Sequence, residues 1–245
     1  MLPILFEAFG LKIFSYPLMI GLCTGLGLTL LNSLRETNKI TTKYYYSFLG
    51  GVLFFAWFGA KVFFLCFSKI ENSSKYLLNS NFWMGGGFVF YGGLIFATLY
   101  ALFFIFVLKK FKWEEGKYLL PVLTISHGVG RFGCVLAGCC FGSQTDFILS
   151  INHRHPVQLY EGIILIIFGI YFFKTIDKLD TLKSLILYLI FYSILRFNME
   201  FLRDDLIRGT LFGLSTSQTI STLLFLLGII LYIYQSLYLK RKSLS

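Results

Sequence analysis

The sequence predicts an all-α polytopic membrane protein with about seven transmembrane helices, an external N-terminus and a cytoplasmic C-terminus. Three observations carry this prediction. Of 245 residues, 56% are hydrophobic and only 14% charged, where a soluble domain carries about 25% charged residues. The apolar residues lie in runs long enough to cross a hydrocarbon layer, which takes about 20 residues of helix. Basic residues are distributed unevenly among the segments that join those runs, as membrane insertion requires. Soluble classes are excluded, because one soluble core cannot hide this much apolar surface.

The runs fall at approximately 13–33, 46–67, 86–108, 118–140, 157–173, 184–202 and 211–236. Each is expected to be helical, since hydrocarbon offers no water to satisfy backbone N–H and C=O groups. The joining segments are short and polar, and none has the composition of an interdomain linker. Residues 1–245 therefore read as a single integral-membrane domain. The stretch Met1–Gly10 lacks a basic leader and a small-x-small cleavage site, so the first span is expected to stay in the mature chain. No internal repeat of the kind common in secondary transporters is evident.

Orientation follows from the loops. Arg35, Lys39 and Lys43 follow the first span, and Lys109, Lys110, Lys112 and Lys117 follow the third. Lys174, Lys178 and Lys183 follow the fifth, and Lys240, Arg241 and Lys242 the seventh. The alternate loops carry fewer, chiefly Lys69, Lys75, Arg154, Arg203 and Arg208. Basic residues favour the cytoplasmic side. The net charge of +10 is spread through these short clusters, with no basic domain or arm to follow a phosphate backbone, so nucleic acid is not expected as a partner.

With this topology the unusual polar residues gather on the outer side. The sixth span holds Tyr192, Arg196, Glu200 and Arg203, spaced by four, four and three, which stacks them on one side of a helix. Each ionised group in hydrocarbon costs at least about 2.5 kcal/mol on insertion scales. Two readings account for it: an Arg196–Glu200 pair that neutralises itself near the interface, or an anion-binding face turned into the bundle. The fourth span ends in His127, Gly128, Gly130, Arg131, Gly133, Cys134, Gly138, Cys139 and Cys140. Its glycines permit close backbone approach, and a buried arginine needs an anionic partner, phosphate being one that a guanidinium clamps with two parallel bonds.

Cys134, Cys139 and Cys140, with His153 and His155, raise the question of a metal. Their spacing matches no common zinc pattern and CxxC is absent, while cysteine is a good small packing residue. No metal or cofactor is expected. Between spans four and five, Pro156 suits the first turn of a helix and Glu161 lies near its positive end, which suffices for a capped helix start; His155 and Tyr160 are also within reach of the site. The outer half of span three, Gly85 to Gly93, is rich in glycine and carries Tyr91. Tyr16 stands at the outer end of span one.

Together these motifs resemble one family, the prolipoprotein diacylglyceryl transferases. The matching pieces are Ser15-Tyr16-Pro17-Leu18-Met19, Phe90-Tyr91-Gly92-Gly93-Leu94, Gly130-Arg131-Phe132-Gly133-Cys134, His155-Pro156-Val157-Gln158-Leu159-Tyr160-Glu161, Arg196-Phe197-Asn198-Met199-Glu200-Phe201-Leu202-Arg203 and Leu214-Ser215-Thr216-Ser217-Gln218. They occur in the family's order over nearly the whole chain.

The resemblance implies transfer of a diacylglyceryl group from phosphatidylglycerol to the lipobox cysteine of an exported prolipoprotein, with glycerol phosphate leaving. The enzyme would sit in the bacterial cytoplasmic (inner) membrane, among membrane lipids, with its active site facing the periplasmic side and without a cofactor. Residue by residue, it implies that Arg131 contacts the lipid phosphate and that Arg196 and Glu200 form the catalytic pair. Tyr16, Tyr192, Arg203 and His155 would support lipid binding, and Tyr91 joins the catalytic set.

Two departures stand out. Much of the family has His at the position of Tyr91, and a phenol of pKa near 10 is a poor base at neutral pH unless a cation lowers it. Glu200, another group or solvent is left to take the proton. The family's signature usually has Asn and Glu where this chain has Cys134 and Cys139, and the Gly-Cys, Gly-Cys-Cys form is similar to a branch of such proteins. The competing readings are a related transferase with another acceptor and a lipid-binding membrane protein without chemistry.

Overall fold

The computed structural model describes residues 4–8, 11–37, 40–67, 82–83, 89–203, 210–211 and 213–244. Among these residues the chain forms seven helices that follow the seven predicted runs. They are α1 (Ser15–Glu36), α2 (Tyr45–Phe67), α3 (Phe90–Leu102), α4 (Leu119–Ala137), α5 (Val157–Thr175), α6 (Thr181–Glu200) and α7 (Thr216–Leu244). Six are long and apolar enough to cross a membrane. The third predicted span is a shorter apolar helix, Gly92–Val107, in which α3 passes into a π-helical turn at Phe103–Val107. The chain is thus an all-α, multi-pass membrane protein.

Two short hairpins were not foreseen. Strands β1 (Ile4–Ala8) and β2 (Leu11–Phe14) pair antiparallel ahead of α1. Strands β3 (Thr210–Leu211) and β4 (Leu214–Ser215) pair ahead of α7. The seventh helix accordingly starts at Thr216, not at the predicted 211. Apolar residues that enter a sheet ladder carry the same hydropathy as those that begin a helix.

The chain divides into two compact units, residues 41–115 and residues 1–40 with 116–245. In the first, α2 and α3 run antiparallel and meet through glycine. A Cβ added at Gly59 would lie 2.4 Å from the Gly92 carbonyl oxygen, and one at Gly92 would lie 2.4 Å from that of Gly59. Aromatic rings fill the rest of the seam, with Phe55–Tyr100 centroids 4.8 Å apart and Phe48–Phe111 4.2 Å. The carboxylate of Glu115 accepts from the Thr41 N–H at 2.8 Å, its hydroxyl at 2.7 Å and the Thr42 N–H at 3.0 Å.

In the second unit α4 packs on α1 and α5, while α6 packs on α7. Gly128 and Gly162 meet as the first unit's glycines do, with added Cβ atoms 2.8 and 2.9 Å from the opposing carbonyl oxygens. This realises the close approach expected of the span-four glycines. Directions alternate, so the start of α1, the end of α4, the start of α5, the end of α6 and the start of α7 share one end of the unit. At the other end Asp180 caps α6 by accepting from the Lys183 N–H at 2.7 Å and takes the Gln235 amide of α7 on both oxygens, at 3.1 and 3.0 Å. Such a cap satisfies a donor left free by the helix start.

Candidate active site

Arg131 on α4 and Glu161 on α5 form an ion pair, with Nη2 2.7 Å from Oε1 and the carboxylate completely enclosed. Glu161 is the sole acidic residue between Asp146 and Asp177. A carboxylate in such an apolar helix must be paired or lose its charge. The expected role of Glu161 at the helix start is therefore incomplete. Helix α5 begins at Val157 with Pro156 as its N-cap residue, and the acid turns across to the neighbouring helix. The signal for it was a lone acid in one span and a lone arginine in another.

The second pair lies within α6 at four-residue spacing, with Arg196 Nη2 2.9 Å from Glu200 Oε2. Arg203 approaches the same oxygen through Nε at 3.9 Å and is itself almost wholly buried. The start of α7 completes the arrangement. Arg196 Nη2 donates to Ser217 Oγ at 2.9 Å, and Ser215 Oγ donates to Glu200 Oε1 at 2.9 Å. Gln218 in turn accepts from the Ser215 N–H at 3.1 Å. Tyr192 stands between the two pairs, its ring 5.4 Å from that of His127 and within electrostatic reach of Glu161, Arg131 and Arg196. Neither serine was singled out as a site residue from the sequence, because an uncharged hydroxyl at a helix start is ordinary.

Among the described residues, then, three guanidiniums share this cluster with two carboxylates. Arg131 Nε and Arg196 Nη1 are enclosed donors without a hydrogen-bond partner there, and Glu161 Oε2 is an enclosed acceptor in the same condition. Enclosed donors carrying surplus positive charge favour an anionic ligand, since charge-assisted bonds are roughly twice as strong as neutral ones. A carboxylate oxygen beside them can receive a proton or a hydroxyl.

Tyr16, the second residue of α1, is partly exposed and lies within electrostatic reach of Arg131 and the three clustered thiols. His155 belongs to a backbone lattice that ties the α4–α5 connection to the end of α6. Gly142 N–H donates to the His155 carbonyl at 2.8 Å, Ser143 N–H to that of Leu202 at 2.9 Å, and His155 N–H to that of Ser143 at 3.1 Å. Its Nδ1 is enclosed without a partner among the described residues. The structure brings Arg131, Tyr192, Arg196, Glu200 and Arg203 together, with Tyr16 and His155 at the same end. The side chain of Tyr91 lies outside the described residues.

Beside this cluster the Cys134, Cys139 and Cys140 sulfurs lie within 4.8 Å of one another. The end of α4 explains how. Gly138 is left-handed (φ +73°), Gly138 N–H donates to the Val135 carbonyl and Cys139 N–H to that of Cys134, each at 3.1 Å. This is the paired-bond helix stop that glycine permits. The Cys139 thiol donates to the Cys134 carbonyl at 3.6 Å, and Arg203 lies within electrostatic reach of Cys140.

The profile of the family described as prolipoprotein diacylglyceryl transferase matches residues 3–234. The chain belongs to that family. Among its relatives is the phosphatidylglycerol–prolipoprotein diacylglyceryl transferase of Clostridium tetani (strain Massachusetts / E88), 31% identical, with 95% of this chain and 97% of the relative covered. Another is phosphatidylglycerol–prolipoprotein diacylglyceryl transferase 2 of Clostridium perfringens (strain 13 / Type A), 34% identical over 94% and 93% of the two chains. The family match runs through both compact units and through every residue of the charged cluster.

Proposed function

We propose that this chain transfers the diacylglyceryl group of phosphatidylglycerol to the thiol of the lipobox cysteine of exported prolipoproteins, the first step of lipoprotein maturation. The whole chain serves as one integral-membrane transferase domain of the bacterial cytoplasmic membrane. Its loop charges orient the ion-pair end toward the extracytoplasmic side, with the C-terminus in the cytoplasm. Nucleic acid is no partner.

The observation that carries this reading is the surplus of enclosed guanidinium over carboxylate at one end of the helices. A phosphodiester bears one negative charge. When the carbon–oxygen bond breaks, glycerol phosphate leaves with a second. Cations held in place before the reaction stabilise that developing charge more than the ground state, which is how a fixed charge accelerates a step. Arg131 and Arg196 hold the phosphate, Glu200 fixes Arg196 and Arg203, and Tyr16, Tyr192 and His155 complete the lipid-binding wall. Tyr91 joins the catalytic set on the family resemblance alone. The nucleophile belongs to the acceptor protein, so the chain needs no triad of its own. An acceptor thiol with a pKa near 8.5 must lose its proton to react.

The test combines purified protein, phosphatidylglycerol micelles and a lipobox peptide, read by peptide mass. A gain of one diacylglyceryl group, absent when the lipobox cysteine is replaced by serine, is the expected result. A gain that ignores this cysteine identifies a transferase with another acceptor. No gain identifies a lipid-binding protein without chemistry.

A further inference from the structure

The three thiols at the end of α4 have no part in the chemistry just described, yet the backbone is bent to bring them together. Positions 134, 139 and 140 converge in neither a continuous helix nor a strand. They converge because Gly138 turns left-handed and Cys140 does so as well, at φ +65°. A non-glycine residue rarely adopts that region. The sequence spacing hides this convergence, which is why a metal was not expected from it.

We propose that Cys134, Cys139 and Cys140 hold one zinc ion whose fourth position takes the acceptor cysteine of the lipoprotein substrate as a thiolate. The second half rests on the transferase reading above; the metal site itself does not. Three sulfurs within 4.8 Å of one another match the three protein ligands of a catalytic zinc site, which keeps one position open. Their exposure is graded, with Cys134 buried, Cys140 intermediate and Cys139 exposed, so the cluster has an open side. Zinc with three thiolates carries a net single negative charge. Arg203 lies within electrostatic reach of Cys140, and Arg131 lies one helical turn before Cys134, so cations that offset the charge are already nearby.

Position makes the site useful. The cluster adjoins the guanidiniums proposed to hold the phosphate, so a thiolate on the fourth position would be carried beside the lipid bound there. A thiol bound to zinc is deprotonated outright, which removes the need for a protein base. On binding, the acceptor S–H bond breaks and its proton passes to solvent. The metal-bound sulfur then forms the S–C bond to the glyceryl carbon while the C–O bond to phosphate breaks. The electron pair leaves with glycerol phosphate, and the zinc keeps its charge throughout.

The experiment uses the full chain purified in detergent, reduced, without chelator or histidine tag. Elemental analysis is expected to find about one zinc per chain, and much less in Cys134→Ser and Cys139→Ser. Chelation of the wild-type protein, which covers the case that the variants fail to insert, is expected to cut peptide lipidation about a hundredfold, the scale of losing base assistance, with recovery on adding zinc. Cobalt-loaded protein is expected to show thiolate-to-cobalt absorption that changes with the lipobox peptide and not with its serine version. An internal disulfide among the three cysteines in place of metal overturns the proposal, and full lipidation by zinc-free protein overturns its acceptor-binding half. Stoichiometric zinc with no spectral response to the peptide thiol overturns its acceptor-binding half. Zinc and a spectral response without lipidation leave the site standing and overturn the transferase reading.

Discussion

The Arg131 guanidinium on α4 and the Glu161 carboxylate on α5 stand 2.7 Å apart, with the acid completely enclosed, directly above the glycine contact between Gly128 and Gly162. The backbones can approach because neither glycine carries a Cβ, and that approach brings Arg131, one turn after Gly128, within reach of Glu161, which directly precedes Gly162. Removing one partner of such a pair leaves a buried charge, at a cost of about 3–5 kcal/mol. Glu161→Ala and Arg131→Ala are each expected to lower the thermal midpoint in detergent strongly. The double variant is expected to fall short of the sum of the two, which a double-mutant cycle measures. Additive effects would show that the two groups do not interact.

Arg131→Ala and Arg196→Ala are expected to abolish lipidation of a lipobox peptide while the protein still inserts in the membrane. Arg196→Lys is expected to recover little, since an ammonium cannot serve Ser217, Glu200 and a phosphate from one planar fork. Activity by peptide mass and membrane content by blotting check both points, and normal turnover in either alanine variant refutes the assignment.

Ser217→Ala removes the hydroxyl that accepts from Arg196. Hydrogen bonds to charged groups are worth about 1.5–3 kcal/mol, so a loss of about tenfold or more in lipidation rate is expected. Ser217→Thr, which keeps the acceptor, is expected to restore most of it. Equal rates in all three proteins would show that Ser217 does not position the guanidinium.

Gly59→Leu places a side chain where a Cβ would already stand 2.4 Å from the Gly92 carbonyl. Backbone cannot yield as a flexible side chain does, so α2 and α3 are expected to separate and the protein to be degraded. Protein yield in membranes checks this, and a normal yield would mean that the glycine contact is dispensable.

Glu115→Ala strips the acceptor from Thr41 and Thr42. The buried Thr42 N–H left without a partner costs about 1–3 kcal/mol, while the donors of exposed Thr41 can turn to water. Faster proteolysis of the segment before α2 is the expected outcome, and unchanged cleavage kinetics would argue against the clamp.

Helices and the stacking of Tyr192, Arg196 and Glu200 were legible because they follow from local periodicity, which a run of residues carries in itself; Arg203, expected on the same helical face, lies past the end of α6 at Glu200 and approaches that carboxylate from the turn that follows. The partner of Arg131 was not, because Glu161 is thirty residues away and is brought near by tertiary packing. Ser215 and Ser217 stood in a matching segment without a role, because a hydroxyl has no signature until the charge it serves is in place. The thiol cluster depends on two left-handed residues, and Cys140 is of a type that seldom adopts that conformation.

Asp180 holds Gln235 at one end of α6 and α7, and Ser215 and Ser217 hold Glu200 and Arg196 at the other. Two helices fastened at both extremities resist splaying apart. On the proposed function, the lipid would reach the guanidiniums with the two helices still fastened together at both extremities.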